Sequence, residues 1–115
     1  MGITTSESIK ELYTKRFSKG RYKIKYISHK EASKRGIYGE VDTSINTIVI
    51  DKSLDNKVTF NTLIHELIHV IAEHYAWNIP AKDEELVCET VGNAVSDILN
   101  QNKNLVDYIA FTFKK

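Results

Sequence analysis

The segment from about Val58 to about Tyr75 has the periodicity of a long amphipathic helix. Its apolar residues recur at spacings of three and four and form a wide stripe: Phe60, Leu63, Ile64, Leu67, Ile68, Ile71 and Tyr75. The opposite face gathers polar side chains, which are Thr62, His65, Glu66, His69 and Glu73. A stripe of this width must be covered by other elements, so the segment predicts a helix packed inside a folded domain.

The residues before this helix predict one further helix and three strands. Two capping-box patterns, at Thr4 and Ser8, precede apolar residues at helical spacing and a stop at Gly20: Ile9, Leu12, Tyr13 and Phe17. Residues 21–26 alternate basic and apolar side chains, which is typical of a half-buried strand. Residues 37–42 and 46–51 predict a hairpin with Asn46 in the turn.

Two more helices are predicted after Pro80. Asp83 is expected to cap the first of them, whose core side would carry Leu86, Val87, Val91 and Val95. Apolar residues of a short last helix follow: Leu105, Val106, Ile109 and Phe113. The whole pattern predicts an α+β fold in which a small antiparallel sheet packs against helices.

Length and composition favour one domain spanning residues 1–115. Cys88 is the single cysteine, so the chain cannot form an internal disulfide, and we expect a cytoplasmic protein without a membrane partner. Residues 1–35 carry a net charge of +7 and residues 36–115 a net charge of −6. We interpret the basic part as a solvated surface rather than as a nucleic-acid site. The sequence carries no signal for an oligomeric state.

The spacing of His65 and His69 predicts a metal site. Four residues separate them, so both imidazoles lie on one face of the helix and can bind one Zn²⁺ ion. Glu66 is rotated by about 100° around the helix, where its carboxylate reaches a metal-bound water without binding the metal. This arrangement is the H-E-x-x-H signature, in which the glutamate acts as general base.

Two histidines and a water leave one position of a tetrahedral zinc site to fill. The candidates are His29, His74, Glu84, Glu85, Cys88 and Glu89. We expect Glu85 to be the ligand and Glu89, one turn later, to orient a ligand histidine. Glu84 is expected only to favour the helix dipole, and Cys88 to be a small buried residue. Gly92 would let this face of the helix approach another helix closely.

Several stretches together resemble small gluzincin-type zinc metallopeptidases of phages and bacteria, similar to the ImmA/IrrE family and the minigluzincins. They are residues 37–42, 48–51, 62–69 and 84–87, and the resemblance covers roughly residues 20 to 110. It implies a minimal zincin-like domain with an active-site helix and a third ligand glutamate on the next helix, in agreement with Glu85. The fuller ImmA-type pattern is absent, because Cys88-Glu89 and Val91-Gly92 stand there. Glu85 and Glu89 therefore both stay open as ligands.

The expected function is zinc-dependent hydrolysis of a peptide or protein substrate, with Glu66 as general base. An extended substrate could pair with the strand around Tyr38, and Tyr38, Tyr75 and Tyr108 are candidate oxyanion stabilisers. One alternative is a zinc-stabilised module that binds a repressor or another protein without cutting it. Another is a DNA-associated SprT-like protease, but those proteins use a further downstream histidine and no histidine follows His74.

Overall fold

The computed structural model describes residues 9–14, 20–74 and 78–114. Its elements follow the order β-β-α-β-β-α-α-α and confirm the predicted α+β class. They are β1 (Glu11–Thr14), β2 (Gly20–Ile27), α1 (His29–Arg35), β3 (Gly39–Asp42), β4 (Thr47–Asp51), α2 (Asn56–His74), α3 (Ala81–Gln101) and α4 (Lys103–Thr112).

The four strands form one mixed sheet in the order β1-β2-β4-β3. The predicted hairpin of β3 and β4 is confirmed, and Asn46 adopts the positive φ of 48° that its turn requires. The prediction of a purely antiparallel sheet is wrong, because β2 and β4 are parallel, with Ile24 opposite Ile48. The chain crosses over through α1 and β3 between these strands, so β4 returns beside β2 in the same direction and β3 is left at the sheet edge.

Helix α1 lies in a stretch for which the sequence predicted no element. The Ser28 hydroxyl accepts a hydrogen bond from the backbone N–H of Glu31 at 3.1 Å, which caps the first turn. Gly36 ends the helix in the left-handed conformation at φ 68°. The missed signal was the Ser28-x-x-Glu31 pattern, which has the form of a capping box.

The predicted N-terminal helix is wrong where the structure describes it. Residues Glu11–Thr14 form strand β1, antiparallel to β2, and the backbone N–H of Ile24 also bonds to the carbonyl of Lys10 at 2.8 Å. Pairing with β2 satisfies the backbone N–H and C=O groups of this segment, as a helix would have done internally. A helical periodicity of only a few residues is a weak preference, so pairing in the sheet decides the conformation. The capping patterns at Thr4 and Ser8, and Phe17, lie outside the described residues.

Helix α2 covers one face of the sheet and completes the core. The buried cluster joins residues from β2, β4 and α2: Tyr22, Ile24, Ile48, Ile50, Leu63 and Val70. The alternation predicted for residues 21–26 is confirmed, because Tyr22 and Ile24 are buried while Lys23 and Lys25 are exposed. Packing of α2 on the sheet also buries two of its polar side chains, Thr62 and Glu66, next to edge strand β3.

Helix α3 packs on α2 through small side chains, not through its large apolar ones. Cys88, Gly92 and Ser96 are buried, whereas Leu86 is 63% exposed and Val87 and Val91 are also exposed. The predicted core side of α3 is therefore wrong for these three residues, whereas Val95, which was also predicted there, is partly buried. A Cβ atom on Gly92 would lie 3.1 Å from the backbone oxygen of Asn61, so this close approach of the helices depends on glycine, as the sequence indicated.

Helix α3 begins earlier than the sequence predicted. Pro80 is the N-cap of α3, and Asp83 lies in the first turn, because the N–H groups of Asp83 and Glu84 bond to the Pro80 carbonyl at 2.9 and 3.1 Å. The predicted cap at Asp83 is therefore wrong.

Helix α4 is present as predicted, but none of its described residues is buried. No helix among the described residues is long and apolar enough to cross a membrane.

Candidate metal centre

Helix α2 presents two imidazoles side by side. His65 and His69 are four residues apart, and their ring centroids lie 5.0 Å from each other. Both side chains are largely shielded from solvent. The helix thus holds two nitrogen ligands on the face that turns away from the sheet.

Helix α3 brings Glu85 to these histidines. Its two carboxylate oxygens contact different rings: Oε1 contacts Nε2 of His65, and Oε2 lies 3.3 Å from Nε2 of His69. One ligand atom from each of the three residues lies within 4.8 Å of the others, so this group could hold a metal ion.

Glu84 contacts the other nitrogen of His69. Its Oε2 lies 2.6 Å from Nδ1 of His69, so the carboxylate can orient the ring and leave Nε2 facing Glu85. The sequence had assigned Glu84 to the helix dipole alone and the orienting role to Glu89. Glu89 lines the same cavity, but it makes no hydrogen bond to either histidine in the described structure. The orienting contact belongs to Glu84.

Charges around His69 decide its protonation. Burial by itself would lower the pKa of His69, but the hydrogen bond to Glu84 and the charges of Glu66 and Glu85 outweigh burial and raise it. Protons and a metal ion therefore compete for this imidazole.

Cys88 lies next to Glu84 and His69, and these three residues form a second group with metal-ligand spacing. Burial, with the nearby charges of Glu84 and Glu85, raises the pKa of the Cys88 thiol to about 12. Cys88 is fully buried, which agrees with the expected small buried residue. The group of His65, His69 and Glu85 is the more accessible of the two, because all three of its residues line one cavity and Cys88 does not.

Glu66 lies beside the metal group on α2 and is only 7% exposed. Burial raises its pKa, although the positive potential of His65 and His69 acts in the opposite direction. The backbone N–H of Val41 on β3 donates a hydrogen bond to the Glu66 carboxylate. Glu66 is not a member of the group formed by His65, His69 and Glu85. Its side chain extends from α2 to edge strand β3. A carboxylate with a raised pKa in this position can accept and return a proton.

A cavity of about 890 Å³ opens over these residues, between β3, α2 and α3. Such a volume is within the range of small-molecule and peptide-binding sites. Strand β3 forms one wall and approaches α2 very closely at Gly39, where a Cβ atom would lie 2.5 Å from Cγ2 of Thr62. Strand β3 is at the edge of the described sheet, and Gly39, Glu40 and Val41 of this strand line the cavity.

The remaining candidate residues from the sequence are two histidines and three tyrosines, and they differ in their position relative to the cavity. His29 contacts Asp51 at 2.9 Å and does not line the cavity. His74 ends α2, and its side chain is outside the described part of the chain, as is the whole of Tyr75. Tyr38 lines the cavity, whereas Tyr108 lies exposed on α4. Tyr38 is therefore the one tyrosine among these that the described structure brings to the cavity.

Sequence reasoning missed Asn61 and Asn93, which line the cavity on α2 and α3. The Asn61 amide donates to the Asn93 side-chain oxygen at 3.4 Å and links the two helices. Asn61 precedes His65 by four residues and is thus on the metal-binding face, which is a signal that the sequence contained. The assembled site brings together two imidazoles and the Glu85 carboxylate, which could hold a metal ion, and the buried carboxylate of Glu66. Comparison of the chain with protein-family models, curated proteins and solved structures finds no match.

Proposed function

We propose that this chain is a zinc-dependent peptidase of the gluzincin type. The observation that carries the proposal is the convergence of His65, His69 and Glu85 from two helices, with the buried carboxylate of Glu66 beside them. Three such ligands and a free position are typical of catalytic zinc sites, whereas structural zinc sites use four protein ligands.

In this proposal His65, His69 and Glu85 would hold the zinc ion. The metal, when bound, supplies Lewis-acid activation of a water and of the scissile carbonyl. Glu84 holds Nδ1 of His69 and so favours the tautomer whose Nε2 is free to bind.

Glu66 is the proposed general base. It accepts the proton of the attacking water and returns that proton to the leaving amine, so the carboxylate is regenerated after each cycle. Its burial supports this role, because a raised pKa brings the carboxylate closer to the pH at which it must both take and give a proton.

Strand β3 is the proposed docking edge for the substrate. An extended peptide can add to an exposed edge by main-chain hydrogen bonds, which would lay its backbone along Tyr38, Gly39 and Glu40 and over the metal group. The Tyr38 hydroxyl is the proposed donor to the oxyanion, because Tyr38 is 64% exposed and lines the same cavity.

The experiment combines metal analysis with one substitution. Purified protein is expected to hold about one zinc per chain, and Glu66→Gln is expected to keep that zinc and the fold while losing about 10²–10⁴-fold in peptide hydrolysis. Glu31→Gln is the matched control, because Glu31 lies on α1 outside the cavity. Substrates come from a peptide library.

The outcomes separate the candidate functions. Zinc binding with hydrolysis that depends on Glu66 supports the peptidase. Zinc binding together with failure to cut any peptide of the library moves the proposal to a binding module. A folded protein that takes up no zinc after supplementation contradicts both.

A further inference from the structure

We propose that the cavity selects basic peptides, with lysine or arginine side chains on both sides of the bond at the metal centre. This inference rests on the proposed function and adds the substrate class to it. It comes from the distribution of charge in the cavity and from the position of two glutamates on different sides of the metal group.

The cavity lining is strongly acidic. Six glutamates and no lysine or arginine are among the described residues that form it: Glu40, Glu66, Glu73, Glu84, Glu85 and Glu89. The whole chain, in contrast, has 16 basic and 15 acidic residues and a net charge of +1. The fold has thus collected acidic groups at this surface. A concave surface with one sign of charge focuses its potential on a ligand of the opposite sign.

The metal site does not use all of this charge. A divalent cation would offset the charges of Glu85 and Glu66, and Glu84 is engaged with His69. The remaining three glutamates would keep the cavity negative. Glu40 lies 3.8 Å from the guanidinium of Arg35, which reduces its charge toward a ligand. Glu73 and Glu89 make no ion pair with any described residue.

Glu73 and Glu89 lie on different sides of the metal group. Helices α2 and α3 run antiparallel, because His69 contacts Glu84 while Asn61, two turns earlier, contacts Asn93. Glu73 follows His69 by four residues, which is about 6 Å along α2. Glu89 follows Glu85 by four residues along α3, in the opposite direction. Along the helices, Glu73 therefore lies beyond His69, and Glu89 lies on the other side of Glu85, short of the end of the cavity.

Both carboxylates are available to a ligand. Glu73 and Glu89 are exposed, so a basic side chain can reach them without being buried. Glu73 accepts a hydrogen bond from the hydroxyl of Thr43 at 3.2 Å, a neutral contact that orients the carboxylate without cancelling its charge. A substrate extended along β3 passes both positions and can present one cationic side chain to each.

Binding to an inactive form tests the inference without requiring turnover. The protein is zinc-loaded Glu66→Gln, and the probes are three fluorescent peptides of equal length in which four positions are lysine, glutamine or glutamate. Fluorescence anisotropy gives each dissociation constant. We expect the lysine peptide to bind about tenfold more tightly than the glutamine peptide, and the glutamate peptide to bind most weakly.

Substitution then locates the selectivity. Exposed ion pairs contribute about 0.2–1 kcal/mol, which is up to about fivefold in affinity for each carboxylate. Adding Glu73→Gln and Glu89→Gln to the inactive protein is therefore expected to reduce the lysine-to-glutamine ratio to about one or two. Asp83→Asn, which removes one charge from α3 outside the cavity, is expected to leave the ratio unchanged. Because the lysine-to-glutamine ratio compares two peptides on the same variant, a general loss of peptide binding by that variant does not change it.

Equal binding of the lysine and glutamine peptides overturns the inference, as does selectivity that survives the double substitution. If the double variant loses zinc affinity but keeps its peptide selectivity, Glu73 and Glu89 attract the metal ion and not the substrate, which also overturns the inference. Cleavage by the wild type without preference for basic peptides contradicts this inference and leaves the peptidase proposal intact. If no zinc binds, the peptidase proposal fails, and the same series in metal-free protein still measures the charge selectivity.

Discussion

Removing the carboxylate of Glu84 tests how the metal site is built. Glu84 lies 2.6 Å from Nδ1 of His69, and both side chains are largely shielded from solvent, so water screens the contact weakly. Loss of a carboxylate that orients a ligand histidine usually lowers metal affinity by about 10–100-fold. We therefore expect Glu84→Ala to raise the zinc dissociation constant by that factor, which is about 1.4–2.7 kcal/mol of binding free energy.

The assay is competition with a chromophoric zinc chelator at pH 8, with circular dichroism to confirm the fold. Glu89→Ala is the matched control, because Glu89 lies on the same helix and lines the cavity but does not contact His69. Its zinc affinity is expected to stay within about threefold of the wild-type value. If Glu84→Ala binds zinc as the wild type does, or Glu89→Ala loses more, Glu84 does not orient His69.

The same variant predicts a pH dependence. Glu84 helps to raise the pKa of His69, so in the metal-free wild type it also favours the protonated imidazole that zinc must displace. This competition is strongest at low pH and is relieved in Glu84→Ala. We therefore expect the affinity difference between wild type and variant to be smaller at pH 6 than at pH 8. A difference that grows as the pH falls would contradict this sign.

Three further predictions concern stability, measured by denaturant titration. Burial would raise the pKa of Asp51, but hydrogen bonds from His29 and Ser53 lower it. Asp51→Asn should therefore cost about 1.5–3 kcal/mol at pH 7, and this difference should shrink as the pH falls below the unfolded-state value of about 3.8. Gly39→Ala forces a Cβ atom against Thr62 and should cost about 1–3 kcal/mol, and an unchanged midpoint would refute that close approach. Leu86→Lys should change stability by less than about 0.5 kcal/mol, whereas a loss of 2 kcal/mol or more would place Leu86 in a core.

Local patterns were enough for several elements and for most of the candidate site. The stripe of α2, the alternation of β2 and the hairpin around Asn46 depend on residues close in sequence, so their periods could be read directly. The spacing of His65 and His69 also depends only on helix geometry. The third member, Glu85, was preferred because it shares one face of the next helix with Gly92, which could bring that face close to the histidines, but Glu89 on the same face stayed open.

Long-range packing decided what the sequence could not. Strand β1 forms because β2 offers it a partner, and the parallel pairing of β2 with β4 depends on the path of the chain through α1 and β3. The outward position of Leu86 follows from the small residues Cys88 and Gly92, which allow α3 to approach α2 more closely than large side chains would.

Within the candidate site, too, the sequence determined local properties and the tertiary structure determined the contacts between helices. The sequence by itself determined which residues can bind a metal, because imidazole and carboxylate chemistry and the pitch of a helix are local properties. Only the tertiary structure decided that Glu84 rather than Glu89 contacts His69, since that choice depends on the rotation of α3 against α2. A rotation of one helix against another is set by how their side chains interlock, and no residue's neighbours in sequence carry that information.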